Sequence, residues 1–300
     1  MSLRQNLINN VILITEDNRT SKINGLRKIM ANERIKQAFI VGNLLEAVSF
    51  LTIFRLRKKD KANGGEGDNS AIIKLTASIK YFPLAGLFIG AILALVFYIF
   101  NKFSAAPASV LMSILFLFIL TGGLHFDGLS DTTDGLFAYL KSGDKVRFYN
   151  AMKDVNAGTS GIIAVIFYIL IMWLAVNGIN SGFIYLSLLT FPVIGRYSIV
   201  LLSYFSNTPE DFKGIGTIFT EGTKLSTFIA ASVFTVIIVF IFLKLAGIFS
   251  ALISIFFVLA AAFYFAKKFG GVNGDMLGFS VKVSEAVYMI ALHGFYKIIF

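Results

Sequence analysis

The stretch Thr121–Gly135, TGGLHFDGLSDTTDG, combines a histidine with three carboxylates directly after a very apolar run. On a helix, Asp127, Asp131 and Asp134 are spaced i, i+4 and i+7, so the three carboxylates lie along one narrow stripe. Like charges at that spacing repel each other, and beside a membrane they need a counter-charge. Hard divalent cations such as Mg²⁺ favour carboxylate oxygens and often bind substrate phosphates as well. The stripe therefore predicts a magnesium site for phosphoryl chemistry at a membrane face.

Two histidines occur in the chain, and their surroundings differ. His125 stands two residues before Asp127 in the polar motif, where it is a candidate base or orienting donor, with a structural role as an equal alternative. His293 lies among apolar residues of the last predicted helix, and we interpret it as structural.

A second polar cluster, KDVNAGTSG at 153–161, precedes a predicted span. Gly158 and Gly161 would let backbone N–H groups at a helix N-terminus approach a phosphate. Lys153 is a candidate to neutralise a pyrophosphate, and Asp154 is a candidate metal ligand or base. A simple helix cap beside a solvated loop is the alternative interpretation.

A third cluster, GGVNGDMLG at 270–278, surrounds Asp275 with four glycines. Glycines such as Gly271 and Gly274 imply a tight backbone path of the kind that ligand-binding loops need. The alternative is an ordinary turn between helices. Glu285 follows ten residues after Asp275, where it is a candidate binding residue or only a partner of the helix dipole.

Arg196 lies inside an apolar span, shortly after Pro192 and Gly195. An arginine within a membrane is costly and indicates a functional partner, here a phosphate or an aspartate. A structural ion pair is the alternative.

The composition is that of a membrane protein. The 300 residues are 56% hydrophobic and 15% charged, whereas soluble domains have about 45–50% apolar and about 25% charged residues. The absence of cysteine excludes disulfides and thiolate metal sites, and the polar start is not a signal peptide. A net charge of +10 would indicate nucleic-acid binding in a soluble protein. Here we attribute it to cytoplasmic loops and anionic lipid, with no nucleic-acid partner.

Apolar runs predict an all-α, polytopic membrane helix bundle with about seven transmembrane helices. Residues 1–34 are predicted to form a polar N-terminal extension, and residues 35–300 an integral membrane domain. Residues 35–54 are interrupted by polar side chains and predict an amphipathic helix at the interface. The predicted spans are 81–100, 106–121, 161–177, 182–204, 225–244, 246–266 and 283–300.

The distribution of basic residues orients this arrangement. With 55–80 in the cytoplasm, the loops on that side hold about sixteen Lys and Arg, and the opposite loops hold two, Lys102 and Lys244. This asymmetry is the one that the positive-inside rule describes. All three polar clusters then face the cytoplasm, and a multi-pass protein of the cell membrane is predicted.

Several motifs occur in a defined order: FLTIFRL at 50–56, YFPLAGLFIGA at 81–91, TGGLHFDGLSDTTDG at 121–135, MKDVNAGTSG at 152–161, the Gly195-Arg196 pair, and GGVNGDMLG with Glu285. Together they resemble the adenosylcobinamide-GDP ribazoletransferase (cobalamin synthase) family over about residues 40–300. Two departures are Asn273, where the family pattern has threonine, and the looser ending of FLTIFRL. Neither departure affects a proposed ligand.

The resemblance implies a transferase reaction. A ribose hydroxyl of α-ribazole, or of its 5′-phosphate, attacks the cobinamide-linked phosphate of adenosylcobinamide-GDP, and GMP leaves. Membrane lipid is an implied partner, and both a monomer and an oligomer agree with the resemblance.

The resemblance also suggests roles for the residues named above. Mg²⁺ bound by the stripe of Asp127, Asp131 and Asp134 would offset charge on the pyrophosphate and on departing GMP. Lys153 and Arg196 are candidate phosphate clamps, and Asp275 is a candidate ribose or metal contact.

Two other functions are alternatives to this transferase. The segment from Asp131 to Ala138 fits the first half of the CDP-alcohol phosphotransferase signature, but Tyr139 stands where that family has arginine. An ion-coupled transporter is the second alternative. Transporter sites lie near the bilayer midplane, often within internal repeats, whereas these acids cluster at the ends of predicted spans.

Overall fold

The computed structural model describes residues 39–56, 66–209 and 214–299. Within these ranges all regular secondary structure is helical, which confirms the predicted all-α fold class. In chain order the helices are α1 (Phe39–Leu51), α2 (Glu66–Ser78), a short 3-10 helix (Ile79–Tyr81), α3 (Phe82–Phe100), α4 (Ala106–Leu120), α5 (Leu124–Ser142), α6 (Lys145–Met152), α7 (Thr159–Asn177), α8 (Ser181–Tyr204), α9 (Ile215–Gly222), α10 (Leu225–Phe269) and α11 (Gly274–Ile299).

The chain divides into two compact units, Met1–Asn43 and Leu44–Phe300. The predicted N-terminal extension, residues 1–34, lies outside the described residues, so the boundary between residues 34 and 35 stays a prediction. The second unit contains helices α2 to α11 and the candidate site described below.

Within the described ranges, four segments are long and apolar enough to cross a membrane: Ala71–Phe100, Thr159–Asn177, Gly182–Tyr204 and Leu225–Phe269. The pair α4 and α5 is a fifth candidate, although the two helices are bent by 89° at the break between them. Membrane character is thus confirmed, but the predicted number of seven spans is not. The last predicted span falls in α11, which is less apolar because Lys282 and Glu285 lie within it.

The two predicted spans at 225–244 and 246–266 lie in one 45-residue helix, α10. This run consists of two helical segments joined by a kink at Lys244. At about 1.5 Å per residue they are about 29 and about 38 Å long, so each is long enough to cross a hydrocarbon core of roughly 30 Å. The α10 backbone leaves helical geometry at Lys244, where φ is 50° and ψ is −139°. The break coincides with the predicted boundary between the two spans.

Helix α8 lies at the centre of the bundle and packs against α3, α10 and α11. Its contact with α3 is close because two glycines of α3 face the α8 backbone. A Cβ atom on Gly86 would lie 2.8 Å from the Val193 Cα, and one on Gly90 would lie 2.8 Å from the Leu188 carbonyl oxygen. Small residues allow such close approach between membrane helices.

The acidic motif begins at the bend between α4 and α5. Gly122 and Gly123 have positive φ values of 60° and 76°, which glycine adopts without the penalty of a side chain. This turn directs α5 against α11. The two helices approach closely at Gly128, where a Cβ atom would lie 3.0 Å from the Gly278 Cα. The bend and this contact place the motif beside the start of α11.

Candidate active site

A cavity of about 500 Å³ lies where α5, α6, α9 and α11 meet. Its lining includes five candidate residues of the sequence analysis: His125, Asp127, Lys153, Gly274 and Asp275. Apolar side chains form the rest of the wall, among them Phe50, Leu124, Met152, Ile199, Phe219 and Leu277. A partly apolar cavity with a few convergent charged groups is the usual form of a small-molecule site.

The three predicted carboxylates lie on one helix, α5, as the spacing predicted. Asp127 lines the cavity, and Asp131 lies within electrostatic range of Asp127, Asp134 and Asp275. The α5–α11 contact thus adds a fourth acid, from 148 positions after Asp127, to the stripe. Burial raises the pKa of the Asp275 carboxyl above its ordinary value, and the charge of Asp127 raises it further.

Asp134 is bound by the protein itself. One carboxylate oxygen accepts a hydrogen bond of 2.8 Å from the Gly158 N–H, and the other accepts one of 2.8 Å from the Gly161 N–H. These amides belong to the N-terminus of α7, where a carboxylate also interacts favourably with the helix dipole. A Cβ atom on Gly158 would lie 2.7 Å from the Asp134 Cγ. The amides predicted to hold a phosphate therefore hold Asp134, and neither glycine lines the cavity.

Lys153 and Asp154 are neighbours with different positions. Lys153 lies at the C-terminus of α6 and lines the cavity. Asp154 is exposed, accepts a 2.9 Å hydrogen bond from the Asn156 N–H, and does not line the cavity. Only Lys153 is thus placed to meet a ligand there.

Arg196 and Glu285 meet each other in the bundle interior. They form an ion pair in which both side chains are fully buried. Gly195 leaves the space for this pair, since a Cβ atom there would lie 2.8 Å from the Glu285 Cγ. Neither side chain lines the cavity, so the structure corresponds to the structural ion pair weighed above.

Two residues of this buried network were missed by the sequence interpretation. Lys282 is also fully buried, with its Nζ 3.0 Å from Glu285 Oε2, and Tyr168 donates a 2.6 Å hydrogen bond to the same oxygen. Lys282 lies three residues before Glu285 inside a helix. The rule that singled out Arg196 as a charge within an apolar segment would have identified it.

His125 lies between the cavity and the buried network. Its ring lines the cavity and is close enough to Arg196 and Lys282 to experience their charges. Its Nδ1 atom is buried and has no hydrogen-bond partner among the residues that the structure describes. A buried ring nitrogen without a partner calls for an explanation, and a ligand or water beside the ring would supply the missing partner.

Gly271 has a packing role at the end of α10. Its φ is 151°, and a Cβ atom there would lie 2.7 Å from the Asn207 carbonyl carbon. The next residue, Val272, donates a 2.8 Å hydrogen bond to the Asn207 carbonyl oxygen. The glycine thus closes a turn, whereas Gly274 begins α11 at the cavity wall.

The acids match a hard cation in ligand type and charge. None of the described residues hydrogen bonds to, or pairs with, the carboxylates of Asp127, Asp131 or Asp275. At the same time, no group of three or more His, Cys, Asp or Glu side chains within 39–56, 66–209 and 214–299 converges in a metal-binding arrangement. The donor chemistry fits Mg²⁺, and a full set of protein ligands is not assembled, which suits an ion that keeps several waters or substrate oxygens.

Comparison with known proteins identifies the family. The cobalamin-5-phosphate synthase family matches residues 43–293. A protein of Clostridium novyi named adenosylcobinamide-GDP ribazoletransferase is 31% identical over 217 residues, which cover 72% of this chain and 86% of the relative. A protein of Clostridioides difficile with the same name is 35% identical over 230 residues, covering 72% of this chain and 86% of the relative.

No solved structure matches the chain. The family match includes all three polar clusters, the buried network and the cavity. The chain therefore belongs to the cobalamin-5-phosphate synthase family and is a transferase of cobalamin biosynthesis.

Proposed function

We propose that the chain is a Mg²⁺-dependent adenosylcobinamide-GDP ribazoletransferase acting at the cavity between α5 and α11. It joins adenosylcobinamide-GDP to α-ribazole, or to its 5′-phosphate, and releases GMP. The names of its relatives support the choice of substrates. The observation that carries the proposal is the cavity itself, in which Asp127 and Asp275 share a wall with Lys153 and His125. Neither acid has a hydrogen-bond or ion-pair partner among the residues that the structure describes.

The reaction requires one bond to form and one to break. The ribose hydroxyl oxygen bonds to the cobinamide-linked phosphorus, the bond from that phosphorus to the bridging oxygen breaks, and GMP departs with that oxygen. Lys153 offsets negative charge on the diphosphate as the bridging bond breaks. We place the base that removes the hydroxyl proton at His125 rather than at Asp154, because only His125 lines the cavity.

Asp127 and Asp275, which line the cavity, are the side chains that would hold Mg²⁺, and Asp131 adds negative charge beside them. When bound, the ion would neutralise phosphate charge and orient the two phosphoryl oxygens. Asp134 was also predicted as a ligand, and in our proposal it acts mainly by fixing the start of α7, because both of its oxygens accept backbone hydrogen bonds.

The cavity is proposed to open on the cytoplasmic side of the cell membrane. The excess of Lys and Arg in the loops on that side supports this orientation. Membrane lipid then surrounds the apolar helices.

The CDP-alcohol alternative is disfavoured by Tyr139. Its ring packs edge-on against Phe269 with the ring centres 5.0 Å apart. An aromatic side chain packed in this way supplies neither the charge nor the reach of the arginine expected in that family.

The test is a single assay on purified protein in nanodiscs. Adenosylcobinamide-GDP and α-ribazole are supplied with Mg²⁺ or with EDTA, and the products are separated and quantified. The expected result is Mg²⁺-dependent formation of a cobalamin and one equivalent of GMP. Product at full rate in EDTA would contradict the metal role, and no product from intact protein would contradict the transfer reaction.

Asp127→Asn and Asp131→Asn are the informative variants, because the first removes a negative charge from the cavity wall and the second removes one beside it. Each is expected to lower kcat by at least about 100-fold, since charge stabilisation dominates phosphoryl transfer. Asp144→Asn, at a helix cap outside the cavity, is the matched control and is expected to retain full activity.

A further inference from the structure

Lys282 is a buried lysine that the mechanism above does not use. Its Nζ atom lies 3.0 Å from Glu285 Oε2 and 3.4 Å from the Tyr168 hydroxyl. The same atom lies 4.1 Å from the centre of the Phe126 ring and 4.7 Å from the centre of the Tyr168 ring. A buried ammonium is unfavourable unless it is paired, and contact with aromatic faces stabilises it further.

Phe126 connects this lysine to the cavity. It lies in the first turn of α5, between His125 and Asp127, and both of these neighbours line the cavity. Because α4 and α5 meet at an 89° bend, the first turn of α5 does not continue an earlier helix. Its position depends on the side chains that it packs against, and the Phe126 ring packs on Lys282, Tyr168 and Phe118.

The lysine is itself held firmly by other helices. Glu285 binds Lys282 through one oxygen and Arg196 of α8 through the other. Tyr168 of α7 donates to the oxygen that binds Lys282. Close contact between Gly128 and Gly278 leaves no room for α5 to approach α11 further. The position of the first turn of α5 is thus fixed by two contacts, that of Gly128 with Gly278 and that of the Phe126 ring with the Lys282 ammonium.

We propose that Lys282 is a positioning residue for the transfer reaction. The ion pair with Glu285 fixes the Lys282 ammonium, and the Phe126 ring packs on that ammonium. This contact holds His125 and Asp127, the neighbours of Phe126, in their positions at the cavity wall. The proposal rests on the proposed function of that cavity. It assigns Lys282 no contact with substrate, because Lys282 does not line the cavity.

A purely structural role for Lys282 predicts that its variants lose stability, whereas a positioning role predicts that they stay folded and lose activity. Removing one member of a buried ion pair is strongly destabilising when it leaves the other charge unpaired. Lys282→Met leaves Glu285 paired with Arg196, so one buried positive charge and one buried negative charge remain. Under a positioning role, the variant therefore remains folded and loses activity.

The experiment compares Lys282→Met and Lys282→Arg with the wild type in nanodiscs. We expect Lys282→Met to lower kcat by roughly 10- to 100-fold, as displacement of catalytic groups by a fraction of an ångström to an ångström does. KM for adenosylcobinamide-GDP should change little, because no binding contact is removed. Lys282→Arg keeps the charge and the ring contact and should recover a large part of kcat. The melting temperature of Lys282→Met should stay close to that of the wild type, because Glu285 remains paired with Arg196.

Lys244→Met is the matched control. Lys244 also places its Nζ over an aromatic ring, 5.5 Å from the centre of Phe240, but it is exposed and lies outside the cavity. Its replacement should leave kcat and KM unchanged.

A second variant keeps the test decisive if Lys282→Met fails to fold. Phe126→Leu removes the ring above the ammonium and leaves the ion pair intact, and it should reproduce the loss of kcat. Unchanged kcat in a folded Lys282→Met protein would overturn the proposal. Full activity of Phe126→Leu alongside an unfolded Lys282→Met protein would do the same. An inactive wild type would instead refute the proposed function, so the two failures are distinguishable.

Discussion

The four acids of α5 and α11 differ in their partners, and this difference separates their roles; Asp127 and Asp275 line the cavity. Asp134 accepts two backbone hydrogen bonds from the start of α7. Asp127, Asp131 and Asp275 have no such partner among the described residues, and each adds negative charge to the same region. An aspartate that satisfies backbone donors stabilises the fold, whereas unpaired aspartates are available to a cation.

Asp134→Asn should lower stability by about 1–3 kcal/mol, because an amide keeps only one acceptor and leaves a backbone N–H unsatisfied. Hydrogen exchange at the Gly158 and Gly161 amides should become faster in the same variant. Thermal unfolding and exchange mass spectrometry measure the two effects. Asp144→Asn is the control, since Asn caps a helix about as well as Asp. Unchanged exchange at both glycines would contradict this role.

Asp275 makes stability depend on pH in a defined direction. Its pKa is raised by burial and by Asp127, so the folded protein binds its proton more tightly than the unfolded chain does. The resulting stabilisation is present below the unfolded value of about 3.9 and is lost as pH rises through the folded pKa.

In EDTA at pH 7, Asp275→Asn should therefore melt roughly 1–3 °C above the wild type, a limited rise because solvent screens this partly exposed group. The difference should shrink as the pH approaches 4. Melting curves across this pH range test it, with the exposed Asp154→Asn as the control. A lower melting temperature for Asp275→Asn at pH 7 would contradict the assignment.

At the scale of elements, the contact between α5 and α11 builds the site. α5 carries Asp127 and Asp131, and the first turn of α11 carries Asp275. The two helices come together because Gly128 and Gly278 offer no side chains at their crossing. The distance between the helices therefore sets the distance between the acids.

Gly128→Ala should separate the two helices, because its Cβ would lie 2.6 Å from the Asp275 carbonyl oxygen. Overpacking of this kind costs about 1–3 kcal/mol, and kcat should fall with it as the acids move apart. Gly294→Ala in the same α11 is the control, since a Cβ there meets nothing within 4 Å. Steady-state kinetics and melting of the two variants are compared, and equal behaviour would refute the close contact.

At the scale of the whole molecule, the number of membrane crossings depends on α10. Its length is suited to two crossings, and the backbone break at Lys244 is the point at which the chain would reverse. The basic residues favour that arrangement because it returns both ends of α10 to the basic side of the membrane.

The natural chain has no cysteine, so single cysteines report on topology directly. Asn156→Cys should be labelled by an impermeant thiol reagent only from the cytoplasmic side, since it lies in the loop before α7. Phe103→Cys and Leu245→Cys should be labelled only from the opposite side. Labelling of whole cells and of inverted vesicles makes the comparison. Labelling of Leu245→Cys from the cytoplasmic side would exclude a reversal at Lys244.

Much of the candidate site could be predicted because the residue spacings that indicate it lie within short segments of the chain. The spacing of Asp127, Asp131 and Asp134 already placed them on one helical face, and α5 confirms it. The role of Arg196 was less predictable, because its partner Glu285 lies 89 positions away in the chain. The burial of Lys282 within an apolar helix could have been predicted from the sequence, but its contacts with rings of α5 and α7 could not.

The sequence by itself determined the membrane class, the helical elements, the ordered motifs and the family, because composition and short-range periodicity are properties of local chain segments. Only the tertiary structure decided which polar groups meet. It paired Asp134 with the glycines of α7, brought Asp275 to Asp127, and buried Lys282 beneath Phe126. These pairings depend on how distant helices cross, and helix crossings are set by the packing of whole surfaces rather than by any one segment.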